Sequence, residues 1–188
     1  MVTYAFEAEL PTPGDVLDFW LSADPEKWFA RDDAFDAAIR DRFLTLHGKA
    51  ASGAIDEWAV IPEGTLALII VLDQFSRNLY RNSPLAFATD EKALGLSQNL
   101  IAKQQDIEFP INVRLWIYMP FQHSEDLCMQ ERSIELFKTL DDPENLKYAL
   151  IHHDIIRKFG RFPHRNQVLG RTSRAEEIKF LAAGGFSG

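Results

Sequence analysis

The chain holds a single cysteine, Cys128, in 188 residues. That excludes an internal disulfide framework and cysteine-rich zinc sites. A lone thiol fits a reducing compartment, and a cytoplasmic protein is expected. Long apolar runs are missing too. The longest, Leu66 to Leu72, is far too short to cross a bilayer, so a membrane is not an expected partner. The opening MVTYAFEAELPTPGD is acidic, with no basic flank before an apolar stretch, which is not the pattern of a signal peptide. Positive charge is in deficit: 20 Lys and Arg stand against 28 Asp and Glu, for a formal net charge of −8. Nonspecific nucleic-acid binding needs a basic field, so nucleic acid is not expected either. No P-loop or dinucleotide glycine pattern is present, no G-x-S-x-G, and no H-x-x-x-H or H-x-H pair. No cofactor and no metal are therefore expected.

What is present is core-forming material. Hydrophobic residues make up 46% of the chain and aromatics 12%, enough for one folded domain over residues 1–188 whose core is rich in Phe and Trp. Residues 1–12 read as an extended lead-in. Nearly every later segment reads as helix. Thr12–Pro13, Asp24–Pro25, Pro62, Ser83–Pro84, Thr89–Asp90 and Asp142–Pro143 are helix starts. Gly53 and Gly160 are stops. The spacing predicts a short helix from Ile111 to Tyr118 that ends before Pro120. Ser124 is the expected cap of the following helix, and Ser173 with Glu176 the capping box of the last. Only LALIIVL has strand-like composition. It has no pairing partner, and its apolar pattern continues at helical length, so it too is read as helix. The expected fold class is all-α: antiparallel helix pairs stacked in a tetratricopeptide-like superhelical or bundle arrangement, about eight to ten helices including short ones. No clean tetratricopeptide sequence repeat is present.

Three stretches place charge where the pattern predicts core. On the helix from Pro62, a 100° step puts Asp73, Arg77 and Tyr80 on the face that holds Leu66, Ile69 and Ile70, with Arg81 at its edge. Such charges must be paired. Asp73 and Arg77 suit each other at i, i+4, whereas Arg81 needs another acid or a ligand. In YMPFQHSEDL, His123 is a candidate acid/base residue, and Glu125 and Asp126 equally complement a helix N-terminus. In HHDIIRKFGRFPHRN, Asp154, Arg157, Lys158 and Arg161 share one helix face, while His152 lies with Ile155, Ile156 and Phe159. Gly160 and Pro163 account for the helix end. His164, Arg165 and Asn166 are not needed for it.

The blocks VLDFW, LDQFSRN, MPFQHSEDL, QERS and FGRFPHRNQVLGR, between about Val16 and Leu181, resemble the bacterial domain-of-unknown-function family 924. The resemblance implies an all-helical, tetratricopeptide-like fold and no established activity, cofactor or catalytic residue. The family's blocks read Q-F-P-R-N, F-E-H-S-E-D and H-R-D. The chain departs from them at Ser76, Gln122 and His153, which makes those side chains poor candidates for shared chemistry.

Three functional readings follow. A helical-repeat-like module would hold an anionic small molecule or peptide with Arg77, Asn78, Arg81, Arg161, His164, Arg165 and Asn166. A hydrolase-type enzyme would use Asp73, His123, His152 and His164 as an acid/base set, without a recognisable nucleophile. Alternatively, the polar blocks are structural networks that fix the helix packing. Sequence leaves the ligand, the reaction and the oligomeric state open.

Overall fold

A computed structural model describes residues 9–187. The expected extended lead-in falls largely on residues 1–8, outside the described residues. The described chain is all-helical, without strands. In chain order the helices are α1 (Pro13–Leu21), α2 (Pro25–Phe29), α3 (Asp33–Ser52), α4 (Pro62–Ile69), α5 (Ser76–Leu79), α6 (Asp90–Ala102), α7 (Ile111–His123), α8 (Leu127–Lys138), α9 (Pro143–Phe159) and α10 (Ala175–Ala182). Short 3-10 turns connect several of them.

Local signals explain most boundaries. Thr12 Oγ1 accepts from the Asp15 amide at 3.2 Å, and the Asp15 carboxylate accepts from the Thr12 amide at 2.8 Å, a reciprocal cap on α1. Gly53 and Gly160 close α3 and α9 at φ +84° and +68°, a region open to glycine at no steric cost. The residues of LALIIVL are all fully buried, so the run is a central helix, as its length required. Around it sit Trp20, Phe35, Phe43, Phe75 and Trp116. α4 packs on α1 and α6, while α7, α8 and α9 pack on one another in chain order. A smaller cluster of Ile155, Ile156, Phe159 and Phe162 joins α9 to Phe180 and Phe186.

The structure differs from the expected pattern in three places. First, α7 does not stop before Pro120 but runs to His123. Proline removes one N–H and crowds one carbonyl, and burial of Met119, Pro120, Phe121 and Gln122 holds the last turn in place. Second, Asp126 rather than Ser124 caps α8, accepting from the amides of Cys128 and Met129. Third, Arg174 occupies the N-cap position of α10, and Glu177 rather than Glu176 takes its amide, at 2.6 Å. Each shift matters at the site: the first carries His123 into the last turn of α7, the second leaves Glu125 outside α8, and the third gives Glu177 both the cap of α10 and an ion pair with Arg161.

Between α4 and α5 the helix is not α-helical. Ile70–Phe75 forms a π-helical turn. Such turns insert a residue into the ladder and re-aim the side chains that follow. Here side chains take the backbone carbonyls. The Leu72 carbonyl accepts from Ser76 Oγ at 2.7 Å and Thr89 Oγ1 at 2.6 Å, and the Asp73 carbonyl accepts from Arg77 at 2.6 Å.

Candidate functional site

The π turn presents Gln74, and α5 presents Arg77 and Asn78, toward one half-open cavity of about 430 Å³. The volume lies within the usual range of small-molecule sites, roughly 300–1,000 Å³. α7 supplies Met119 and His123 to the wall, α9 supplies His152, and the turn after α9 supplies His164 and Arg165. Trp28, Phe29, Phe87 and Phe186 form the apolar part. Phe29 is 60% exposed at the rim, unusual for so large an apolar ring.

Beneath the cavity lies Asp73, fully buried. His123 Nδ1 donates to its Oδ1 at 2.7 Å, Gln74 donates to its Oδ2, and an Arg77 nitrogen sits 3.2 Å away. Burial opposes ionisation of Asp73, but Arg77 and His123 outweigh it and hold the carboxyl near 2. His123 moves the other way from an ordinary ion pair. Burial and the Arg77 charge lower it more than Asp73 raises it, so it is a neutral imidazole bonded to a carboxylate. Arg77 itself spans two acids, reaching both Asp90 oxygens at 3.0 and 3.1 Å.

Arg165 is the least satisfied charge in the site. Its side chain is buried and its guanidinium lies 4.5 Å from the ring centroids of both Phe87 and Phe162. Among the described residues Nε has no partner, and the one ion contact is 3.4 Å long, to an Asp90 oxygen that Arg77 already occupies. A guanidinium carries five N–H donors. Burial and neighbouring Arg77 lower its pKa to about 10, a sign of a cation short of counter-charge. Beside it, His164 Nδ1 is also buried without a partner among the described residues. Burial lowers His164 to about 4 and His152 to about 3, so both are neutral near pH 7.

The expected site residues therefore divide. Asp73 lies under the cavity, and Arg77, Asn78, Arg81, His123, His152, His164 and Arg165 line it. Arg81 and Asn78 are engaged by Asp36 of α3, which supplies the acid Arg81 required. Arg161 and Asn166 turn away from the cavity. Glu177, fully buried, accepts from Arg161 at 2.7 and 2.9 Å and from Asn166 at 3.1 Å. Arg161 likewise leaves the charged face of α9, where Asp154 pairs with Arg157 at 3.0 Å. The YMPFQHSEDL constellation splits as well. Glu125 accepts from Arg171 at 2.6 and 3.0 Å and from the Phe162 amide at 2.7 Å, tying the turn after α9 to the α7–α8 corner. Among the described residues no group of three His, Cys, Asp or Glu side chains is placed to hold a metal. Gln74, Phe87, Met119 and Phe186 were missed. Phe87, Met119 and Phe186 look like core residues in sequence and Gln74 only like a polar neighbour of Asp73, and the π turn and the chain's fold-back bring them to the wall.

The sequence matches the family described as bacterial protein of unknown function, DUF924, over residues 16–185. The chain belongs to this family. Within DUF924, the resemblance carried by the quoted blocks is thus real along nearly the whole chain. A protein of unknown function from Agrobacterium tumefaciens is 40% identical and has the same fold, with a TM-score of 0.88 over 92% of this chain and 97% of that one. No curated protein matches the sequence. Among the described residues no helix of this DUF924 member is long and apolar enough to cross a membrane.

Proposed function

We propose that this DUF924 protein is a binding module for a small molecule or peptide end carrying a carboxylate or phosphate, held in the cavity between α5, α7, α9 and the following turn. One observation carries the reading. Arg165 is buried, aromatic-flanked and nearly without partners beside the cavity. Leaving a buried charge unpaired costs several kcal/mol, and an anion removes that cost. Guanidinium groups suit oxyanions because the donor fork matches them. The apolar rim of Trp28, Phe29 and Phe87 would cover the ligand's carbon frame. Thermal unfolding with phosphate, sulfate and citrate tests the reading. The melting temperature rises with at least one anion in the wild type, and the rise vanishes in Arg165→Leu. An equal rise in the variant contradicts it.

A second reading has its own support. The hydrogen bond between Asp73 and His123 at 2.7 Å fixes a neutral imidazole at the cavity wall, the arrangement of an oriented general base. Hydrolysis of an anionic ester by activated water would use it. Loss of turnover in His123→Gln with anion affinity retained would support this reading, and turnover unaffected by the change would remove it.

A further inference from the structure

We propose that the cavity selects oxyanions that carry a hydroxyl of their own, such as hydrogen phosphate groups or α-hydroxycarboxylates, over oxyanions that offer only acceptors. This deepens the anion-binding reading and rests on it.

The inference comes from the tautomers that the structure dictates. His123 Nδ1 lies 2.7 Å from a carboxylate oxygen of Asp73, and a carboxylate held ionised only accepts. Nδ1 must therefore carry the proton. His152 Nδ1 lies 2.7 Å from the Tyr148 carbonyl oxygen, which also only accepts. That nitrogen too must carry its proton. Both rings are held neutral by burial, so in each the second nitrogen, Nε2, is a bare lone pair. Neither Nε2 has a hydrogen-bond partner among the described residues, and both rings line the cavity. The cavity wall thus offers two fixed acceptors beside the donor fork of Arg165. An anion that bonds to Arg165 fills only half of this arrangement. Its partner on the histidine side must be an O–H or N–H. A fully deprotonated oxyanion would put its lone pairs against those of Nε2.

The rings cannot readily swap tautomers to accommodate such an ion. Moving a proton to Nε2 would leave Nδ1 of His123 facing the Asp73 carboxylate, and Nδ1 of His152 facing a carbonyl, lone pair against lone pair. The Asp73 carboxylate and the Tyr148 carbonyl therefore set the specificity through the two rings, without touching the ligand themselves.

Phosphate and sulfate separate the two ideas, because they are alike in size and shape but only phosphate has a hydroxyl at pH 7. Glycolate and acetate form a second pair of the same kind. Titration of the wild-type protein with each ion, followed through its histidine side-chain nitrogens by NMR, needs no destabilising variant. Phosphate over sulfate, glycolate over acetate, or both, should bind on the order of tenfold tighter, the worth of one well-made buried hydrogen bond. The Nε2 signals of His123 and His152 should shift with saturation. A preference in the phosphate pair alone assigns the hydroxyl to a phosphate group, and in the carboxylate pair alone to a hydroxy acid. Equal or tighter binding of the hydroxyl-free ion in both pairs overturns the inference while leaving anion binding intact. If no ion in either pair perturbs the cavity histidines, the anion-binding reading falls with it.

Discussion

Asp73→Asn is the perturbation that reaches furthest into the site. In the wild type this carboxylate accepts from His123 at 2.7 Å, accepts from Gln74 and faces Arg77 at 3.2 Å. Removing one member of a buried charge pair costs about 3–5 kcal/mol when the other is left alone. Arg77 is not left alone, since it keeps both oxygens of Asp90. The loss should fall below that range, at about 2 kcal/mol. Proton linkage gives a similar figure. The carboxyl is held near 2 against an ordinary value of 3.8, and each unit is worth about 1.4 kcal/mol, so the pair stabilises by roughly 2 kcal/mol. The sign follows from the direction. A depressed pKa gives stability that is present above pH 3.8 and is lost as pH falls toward 2. Urea denaturation of wild type and Asp73→Asn at pH 7 should differ by that amount. In sucrose, which keeps the protein folded on the acid limb, the gap should close between pH 4 and pH 2. A variant within about 0.5 kcal/mol of wild type at pH 7 would refute the reasoning, as would a gap that stays constant down to pH 2.

Three further outcomes are expected. His152 and His164 are held neutral, near 3 and 4, so below pH 6.5 the unfolded chain gains protons that the folded one does not; stability should fall by roughly 2–3 kcal/mol per pH unit between pH 6 and 5, and His152→Gln should flatten that slope in a denaturation series. Gly64→Ala would put a Cβ 2.1 Å from the Trp58 carbonyl oxygen, a backbone atom with little room to give, and should cost about 2 kcal/mol or more by urea titration; wild-type stability would show that the start of α4 can move. Glu125→Ala removes the acceptor of the Phe162 amide; hydrogen exchange at that amide should speed up on the order of tenfold while α3 amides keep their rates.

Much of the helical architecture was legible, because its signals are local. The caps at Thr12, Asp24 and Asp142 and the stops at Gly53 and Gly160 act within a few residues, and they stand as the sequence implied. The errors came where tertiary contacts outweighed local preference. Burial carried α7 through Pro120, and recruitment by Arg161 moved the cap of α10 to Glu177. In the site, Asp73 and Arg77 stood out because charge interrupted an apolar pattern, and Arg165 because the helix end did not require it. Arg161 read as part of the charged face of α9 and Asn166 as a residue the helix end did not need, but their acid sits on α10, at a separation no short-range pattern reveals. The π turn left no mark in composition or spacing, yet it decides which way Asp73 and Arg77 point.

A crystal structure determined with phosphate present tests the central claim most directly. The account predicts a phosphate in the cavity, with an oxygen within hydrogen-bond distance of Arg165 Nε, a buried donor without a partner among the described residues. A cavity that holds only water at saturating phosphate, with Arg165 still between Phe87 and Phe162, would contradict it.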